Sequence, residues 1–406
     1  MRSLLLLPLT LTAAACATAG TTPGAESPPA PVTTTTTTAA AGVDRETGAF
    51  VVRLGADTIT VERYTRTGDR LEGDAAMRTP ATALRHYVAT LAPDGSITAL
   101  DYETRRLNGS APPTKAQLRF TAGGASVDLS AGGRDTTMSY VAPSAFPYVN
   151  FSYALLEALV RRHLRTPGDS VAVPLVALGA PQPITGVLRR VGSDSVTFAV
   201  FEPTPSRARV DAAGRILGLQ GLSTTQKVIV DRVADVDVQG TALAWARRDS
   251  AGQALGVLSP ADSVKATVGG AQVAVMYSRP ALRGRAGMGT LIPYDQVWRT
   301  GANAATRFTT SRDLVIGGAQ VPAGSYTLWT LPTQSGAKLI INKQTGQWGT
   351  DYDAKQDLVR VDARVTRAPT PLERFTFTIE PNAAGTGGTI AYTWGETRFA
   401  VPFTVK

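Results

Sequence analysis

Residues 277–303, YSRPALRGRAGMGTLIPYDQVWRTGAN, decide how the chain is read. They link two runs of strand character, QVAVMYS (272–278) and TRFTTS (306–311), and are too rich in Gly and Pro to be helical. The segment holds Arg279, Arg283, Arg285 and Arg299 with Tyr277, Tyr294 and Trp298. Guanidinium groups bind carboxylate, sulfate or phosphate in bidentate fashion and stack on aromatic faces. A loop of this make-up on a β scaffold suits recognition. It does not specify a reaction.

Outward from the loop, strand-like runs continue to the C-terminus: DLVIG (313–317), SYTLWTLP (325–332), AKLIIN (337–342), DLVRVDARV (357–365), ERFTFTIE (373–380), GTIAYTW (388–394) and RFAVPFTV (398–405). Short strands separated by turn residues predict a β-sandwich or jelly-roll-like domain over 264–406. DQVW (295–298) is at most one helical turn.

Upstream, 252–263 is expected to be a linker, and 43–251 a second domain of antiparallel strands. Its runs include AFVVRLG (49–55), DTITVERY (57–64), SITALDYE (96–103) and KVIVDRVADVDV (227–238). LAPDGSITAL (91–100) and VDAAGRILGL (210–219) each place a turn between strands, the same kind of hairpin used twice. One amphipathic helix is expected at 151–164, FSYALLEALVRRHL, with Phe151, Leu155, Ala158 and Leu159 inward and Glu157, Arg161 and Arg162 elsewhere. The fold class is therefore mainly β, in two domains.

Residues 1–19 read as an export signal: Arg2, an apolar run from Leu4, then Ala13–Ala15 before Cys16. Cys16 sits where a bacterial lipobox places its lipidated thiol, although Ala13 stands where that motif favours Leu. The expectation is a lipid-anchored envelope protein facing the periplasm, with plain secretion as the alternative. Residues 20–42, rich in Thr, Pro and Ala, read as a disordered tether. Cys16 is the only cysteine, so no disulfide forms within the chain.

Length of 406 residues suits two domains, and the net charge of +9 is uneven: 16 Lys/Arg face 10 Asp/Glu over 255–406, but 24 face 21 over 43–254. A basic surface attracts anions. Nucleic acid is not expected, for the chain has no basic helix, RNA-binding signature or zinc-finger spacing.

The C-terminal segment also resembles the bacterial domain-of-unknown-function family 2911, through YSRP (277–280), RGR (283–285), LIPYDQVWRTGANAATRFTT (291–310), IGGAQVPAGSYTLWTLP (316–332), INKQTGQWG (341–349) and DLVRV (357–361). The resemblance implies an all-β, exported or anchored protein. It brings no assigned activity and no catalytic residue.

The candidate ligand-binding set is Arg279, Arg283, Arg285, Tyr294, Trp298, Arg299 and Asn303, aimed at an anionic or glycan ligand of the envelope. Trp329 and Trp348 are further candidates for a flat face, and Thr306 for a hydrogen bond. The competing reading pairs Arg279 or Arg299 with Asp295 or Asp313 and makes Trp298 a core plug. A carboxylate hydrolase using Asp295, Asp351 and Asp353, and a purely structural envelope protein, remain alternatives. His163 (in RRHLR) is expected on a solvated surface and His86 in a strand, neither catalytic. No metal site or cofactor is expected. Ser335-Gly336-Ala337-Lys338 fits S-x-x-K, but in a turn and without its partner motifs.

Overall fold

The computed structural model describes residues 45–200, 204–222 and 226–406. The expected export signal, Cys16 and the tether lie outside the described residues. The first half runs through fifteen strands: β1 (Arg45–Leu54), β2 (Asp57–Thr67), β3 (Arg70–Met77), β4 (Ala83–Leu91), β5 (Ile97–Arg106), β6 (Thr114–Phe120), β7 (Gly124–Ala131), β8 (Arg134–Val141), β9 (Phe146–Tyr148), β10 (Ser170–Ala177), β11 (Ile184–Val191), β12 (Ser195–Val200), β13 (Ser206–Val210), β14 (Ile216–Gln220) and β15 (Ile229–Val233).

These form one sheet, ordered β8-β7-β6-β5-β4-β3-β2-β1-β15-β14-β13-β12-β11-β10-β9. Two meanders meet where β1 pairs with β15, Ala49 opposite Val233. The sheet curls so that its ends approach: the Tyr140 hydroxyl near the end of β8 donates to Ala180 O beyond β10 at 2.6 Å, and β9 packs on β5. The two hairpins legible in the sequence are built alike. Ala92 N donates to Ser96 O and Asp211 N to Arg215 O, each with a glycine at positive φ, Gly95 and Gly214.

Helix α1 (Tyr153–Arg165) lies on the inner face, with Leu155, Ala158 and Leu159 in the core as expected. Burying each leucine stabilises the fold by about 2 kcal/mol. Glu157 and His163 are buried as well, against the expectation of outward positions. A helix inside a curled sheet is covered on more than one side, so a single apolar stripe does not mark all its buried positions.

A second correction concerns 227–238. Only Ile229–Val233 is strand; Asp237 then caps helix α2 (Val238–Arg248), its side chain accepting from Gly240 N at 2.8 Å. Val238, Ala242 and Trp245 pack on Val61, Ala76 and Leu84. Neighbouring positions of β2 point to opposite faces, so Val61 meets α2 while Glu62 and Tyr64 reach α1.

The second half contains β16 (Ala261–Val268), β17 (Ala271–Ser278), β18 (Thr306–Thr310), β19 (Leu314–Ile316), β20 (Ala319–Val321), β21 (Gly324–Pro332), β22 (Ala337–Asn342), β23 (Asp357–Pro381) and β24 (Gly387–Val405). Their order is β16-β17-β18-β21-β22-β23-β24-β19-β20. Four of the expected runs merge pairwise into β23 and β24, whose register breaks near Leu372 let them bend. β16 thereby packs on β23, around a core containing Phe308, Phe375, Tyr392 and Phe399. Between the sheets, Asp249–Gln253 forms a single wide turn and β16 starts at Ala261, inside the expected linker. Each sheet has its own core, and contacts join Val43–Lys406 into one unit.

Candidate functional site

The 277–303 loop leaves the end of β17 and crosses the second sheet before β18. Tyr277 is buried against Phe375 and Phe377, and its hydroxyl accepts from Phe377 N at 3.1 Å. Arg279 donates to Phe375 O and the Thr376 hydroxyl and pairs with Asp262 at 3.2 Å, not with Asp295 or Asp313. Arg285 donates to Leu282 O and Ala281 O. Burial and the neighbouring Arg283 lower its pKa. Trp298 stacks on Trp394 at 5.9 Å and meets Phe375 edge-on, while its backbone exchanges two hydrogen bonds with Thr330.

Arg283 joins the two sheets. Its Nη1 lies 2.5 Å from Asp57 Oδ2 at the start of β2, and its carbonyl accepts from Ala56 N at 2.8 Å. Glu373 accepts from its backbone N–H. Arg78, just beyond the end of β3, approaches the same Asp57 at 3.4 Å. Gly55, at φ +62°, makes the approach possible, because a Cβ there would lie 2.2 Å from Arg283 O.

The loop is strained. Arg283, Asp295, Thr300 and Asn303 all adopt positive φ. For the β-branched Thr300, at +50°, this is a rare conformation held by its surroundings. The Thr300 hydroxyl meets that of Thr330 at 2.8 Å, and the Thr300 carbonyl accepts from the Thr306 hydroxyl. Thr306 is thus an internal strut.

The side chains left facing solvent are fewer. Tyr294 and Asn303 are exposed, although Asn303 Nδ2 donates to Ser259 O and Ser278 Oγ. Trp329 is enclosed, its Nε1 donating to Thr327. Trp348 is 50% exposed, whereas Trp245, Trp329 and Trp394 are buried and Trp298 is partly covered. The WRTGAN segment holds the Trp348 turn directly: Gly349 N donates to Asn303 O at 3.0 Å, and Ala304 bridges to Trp348. A Cβ on Gly349 would lie 2.3 Å from Arg299 Cδ and 2.5 Å from Asn303 O, so Arg299 passes tightly against this glycine.

Among the carboxylates, Asp353 caps a short turn through Lys355 N, and Asp351 accepts from the Thr350 hydroxyl. Asp295 is exposed. Asp357 takes Asn342, Tyr352 and Arg360, and burial with the Asp357 hydrogen bond pushes the Tyr352 pKa up to about 12. Lys338 of the S-x-x-K sequence pairs with Asp362 across strands. Among the described residues no group of three or more His, Cys, Asp or Glu is placed to hold a metal, and no helix is long and apolar enough to cross a membrane.

Two buried carboxylates escaped the sequence reading. Glu62 accepts from the hydroxyls of Tyr87 (2.8 Å) and Ser152 (2.6 Å) and from Tyr153 N and Ala154 N, the first turn of α1. The carboxylate satisfies orphan N–H groups at the helix start. Glu157 accepts from Tyr64, Arg161, Arg232 and Ile216 N. Tyr87 lies over its strand partner Gly73, and Tyr64 over Gly48, where a Cβ would collide with each ring. Those glycines inside strands were the available signal.

Residues 259–403 match the model of a family described as protein of unknown function, DUF2911. The match covers the second sheet; the N-terminal region has none. No curated protein matches the chain. Similar solved structures include a DUF1089 family protein of Pseudomonas aeruginosa, 14% identical with a TM-score of 0.32, covering 42% of this chain and 93% of that one. The β-barrel-like DUF1849 protein of Brucella abortus is 10% identical with a TM-score of 0.30, covering 48% and 97%. Both scores are too low to carry any functional argument.

Proposed function

We propose that this is an exported binding protein of the bacterial envelope, anchored through Cys16, that takes a glycan on the Trp348 turn of its second sheet. The single observation behind this reading is a half-exposed indole on a turn fixed by a strained segment. An indole presents a flat apolar face with a polar edge, which suits the C–H face of a sugar ring. Asn303 and Asp351, both exposed beside it, supply acceptor oxygens for sugar hydroxyls, the Asn303 amide N–H groups being taken by Ser259 O and Ser278 Oγ. Rigid support lowers the entropic cost of binding.

The arginines support a structural role instead. Arg279, Arg283 and Arg285 each have internal partners, so they shape the loop rather than face a ligand. The glycan reading is therefore preferred to an anionic one.

Calorimetry of the full chain with N-acetylglucosamine oligomers, maltotetraose and a sulfated oligosaccharide tests this. A neutral oligomer is expected to bind, and Trp348→Ala to weaken it at least tenfold without lowering Tm. Equal binding by Trp348→Ala would refute the site. Preference for the sulfated sugar, lost in Arg285→Ala, would restore the anionic reading. Export is tested by fractionation, since a Cys16→Ser variant still in the membrane fraction would contradict thiol anchoring.

A further inference from the structure

The first sheet contains a cavity that the glycan reading does not use. It opens between the start of α1 and strands β10, β12, β13 and β14, with a volume of about 60 Å³. Leu155, Leu156 and Leu159 of the helix face Leu175, Phe198 and Leu219 of the sheet across it. The segment 146–152, from β9 to the helix cap, completes the wall.

Ten of the sixteen residues in this wall are apolar, and the polar ones are Tyr148, Asn150, Ser152, Tyr153, Ser206 and Gln226. The Ser152 hydroxyl is engaged by Glu62 and lies 3.2 Å from Tyr87 Oη. Asn150 and Gln226 face each other at 3.4 Å, and Ser206 lies on the sheet side. A cavity this size has room for about four or five waters, each needing two to four polar partners. The leucines and phenylalanines offer none, so an apolar occupant is favoured.

The turn in the cavity wall is conformationally constrained. Phe151 sits in that wall at φ +58°, a conformation bulky side chains rarely adopt. Immediately after it, Ser152 Oγ, Tyr153 N and Ala154 N are all fixed by Glu62. The strained residue and the buried carboxylate thus define one turn, and that turn sets the shape of the wall. Strain of this kind persists where surrounding structure enforces it, and it concentrates at ligand sites.

We propose that this cavity binds the end of an acyl chain. The volume admits a few methylene groups, not a whole lipid. The remainder of the chain and its head would leave past Asn150, Gln226 and Ser206, three of the polar residues of the wall. The chain end is the shared chemistry of a free fatty acid and of a phospholipid, and the experiment separates them.

The full chain would be titrated with cis-parinaric acid, a fluorescent fatty acid whose methyl end carries no added group, and the bound probe displaced by dodecanoate or by dihexanoylphosphatidylcholine below its micellar concentration. Saturable enhancement is expected, with displacement by dodecanoate alone assigning a free acid and by the phospholipid assigning a lipid tail. Leu156→Trp, filling the cavity from the helix, is expected to weaken the probe at least tenfold. Ser206→Phe fills it from the sheet and decides the matter should the helix variant fail to fold. Trp348→Ala is expected to leave probe binding unchanged, so this site and the glycan site fail independently. Absence of enhancement, or wild-type affinity in both filled variants, would overturn the proposal.

Discussion

Asp57 and Arg283, separated by 226 positions in the sequence, meet at 2.5 Å between the two sheets. Arg283 is buried and Asp57 partly so, with Arg78 on its other side. Removing one member of such a pair leaves the other poorly compensated. Arg283→Ala is expected to destabilise the chain by about 2–3 kcal/mol in urea unfolding. A double-mutant cycle with Asp57→Ala is expected to show coupling above about 1 kcal/mol. Additive losses would mean that the pair does not join the sheets energetically.

Glu62 caps α1 from a neighbouring strand. Glu62→Gln replaces one acceptor oxygen by a donor, in front of two hydroxyls and two backbone N–H groups. The expected loss is about 2–3 kcal/mol, with faster hydrogen exchange at Tyr153 and Ala154. An unchanged exchange rate at those two amides would argue that the cap lies elsewhere.

His163 is 3% exposed, and burial together with the nearby Arg190 lowers its pKa against a smaller opposing effect of Asp169. The unfolded chain therefore binds the proton more readily than the folded one. The resulting stability is fully present above the unfolded value of about 6.5 and is lost as pH falls through that value toward the lower folded one. Denaturation midpoints of wild type are expected to drop across that window more than those of His163→Gln. Parallel pH profiles would show that His163 does not titrate differently on folding.

Gly349 is the contact between the WRTGAN segment and the Trp348 turn. Gly349→Ala places a methyl group against the backbone oxygen of Asn303 and the side chain of Arg299. Destabilisation of about 1–3 kcal/mol is expected from this overpacking. Glycan affinity is expected to fall with it, because the indole loses its support. A variant of wild-type stability and affinity would show that the turn is free to move.

Much of the architecture was legible because it depends on local patterning. Alternation gave most strands, and the paired hairpins at 92–96 and 211–215 follow directly from Pro-Asp-Gly and Ala-Ala-Gly turns. Helix α2 was not legible, since VADVDV alternates like a strand and its fate depends on the Asp237 cap and on the apolar outer face of β2–β4. The burial of Glu157 and His163 depends on curling of the sheet, which brings Tyr140 to Ala180 across its ends and which local pattern does not encode. At the loop, composition identified residues that matter but not their direction. Arg283 reads the same whether it meets a ligand or Asp57, and only the fold brings position 57 to it. Trp348 was one of several aromatics in the sequence; its distinction is exposure, which composition does not contain.

The most direct measurement is a ¹⁵N correlation spectrum of the five tryptophan indole N–H groups during glycan titration, with the Trp348 signal assigned by its absence in Trp348→Phe. Binding of a neutral oligosaccharide is predicted to move the Trp348 indole signal progressively and the buried Trp329 and Trp394 signals little. Binding that shifts Trp298 or Trp245 but leaves Trp348 in place would contradict the assignment of the ligand to this turn.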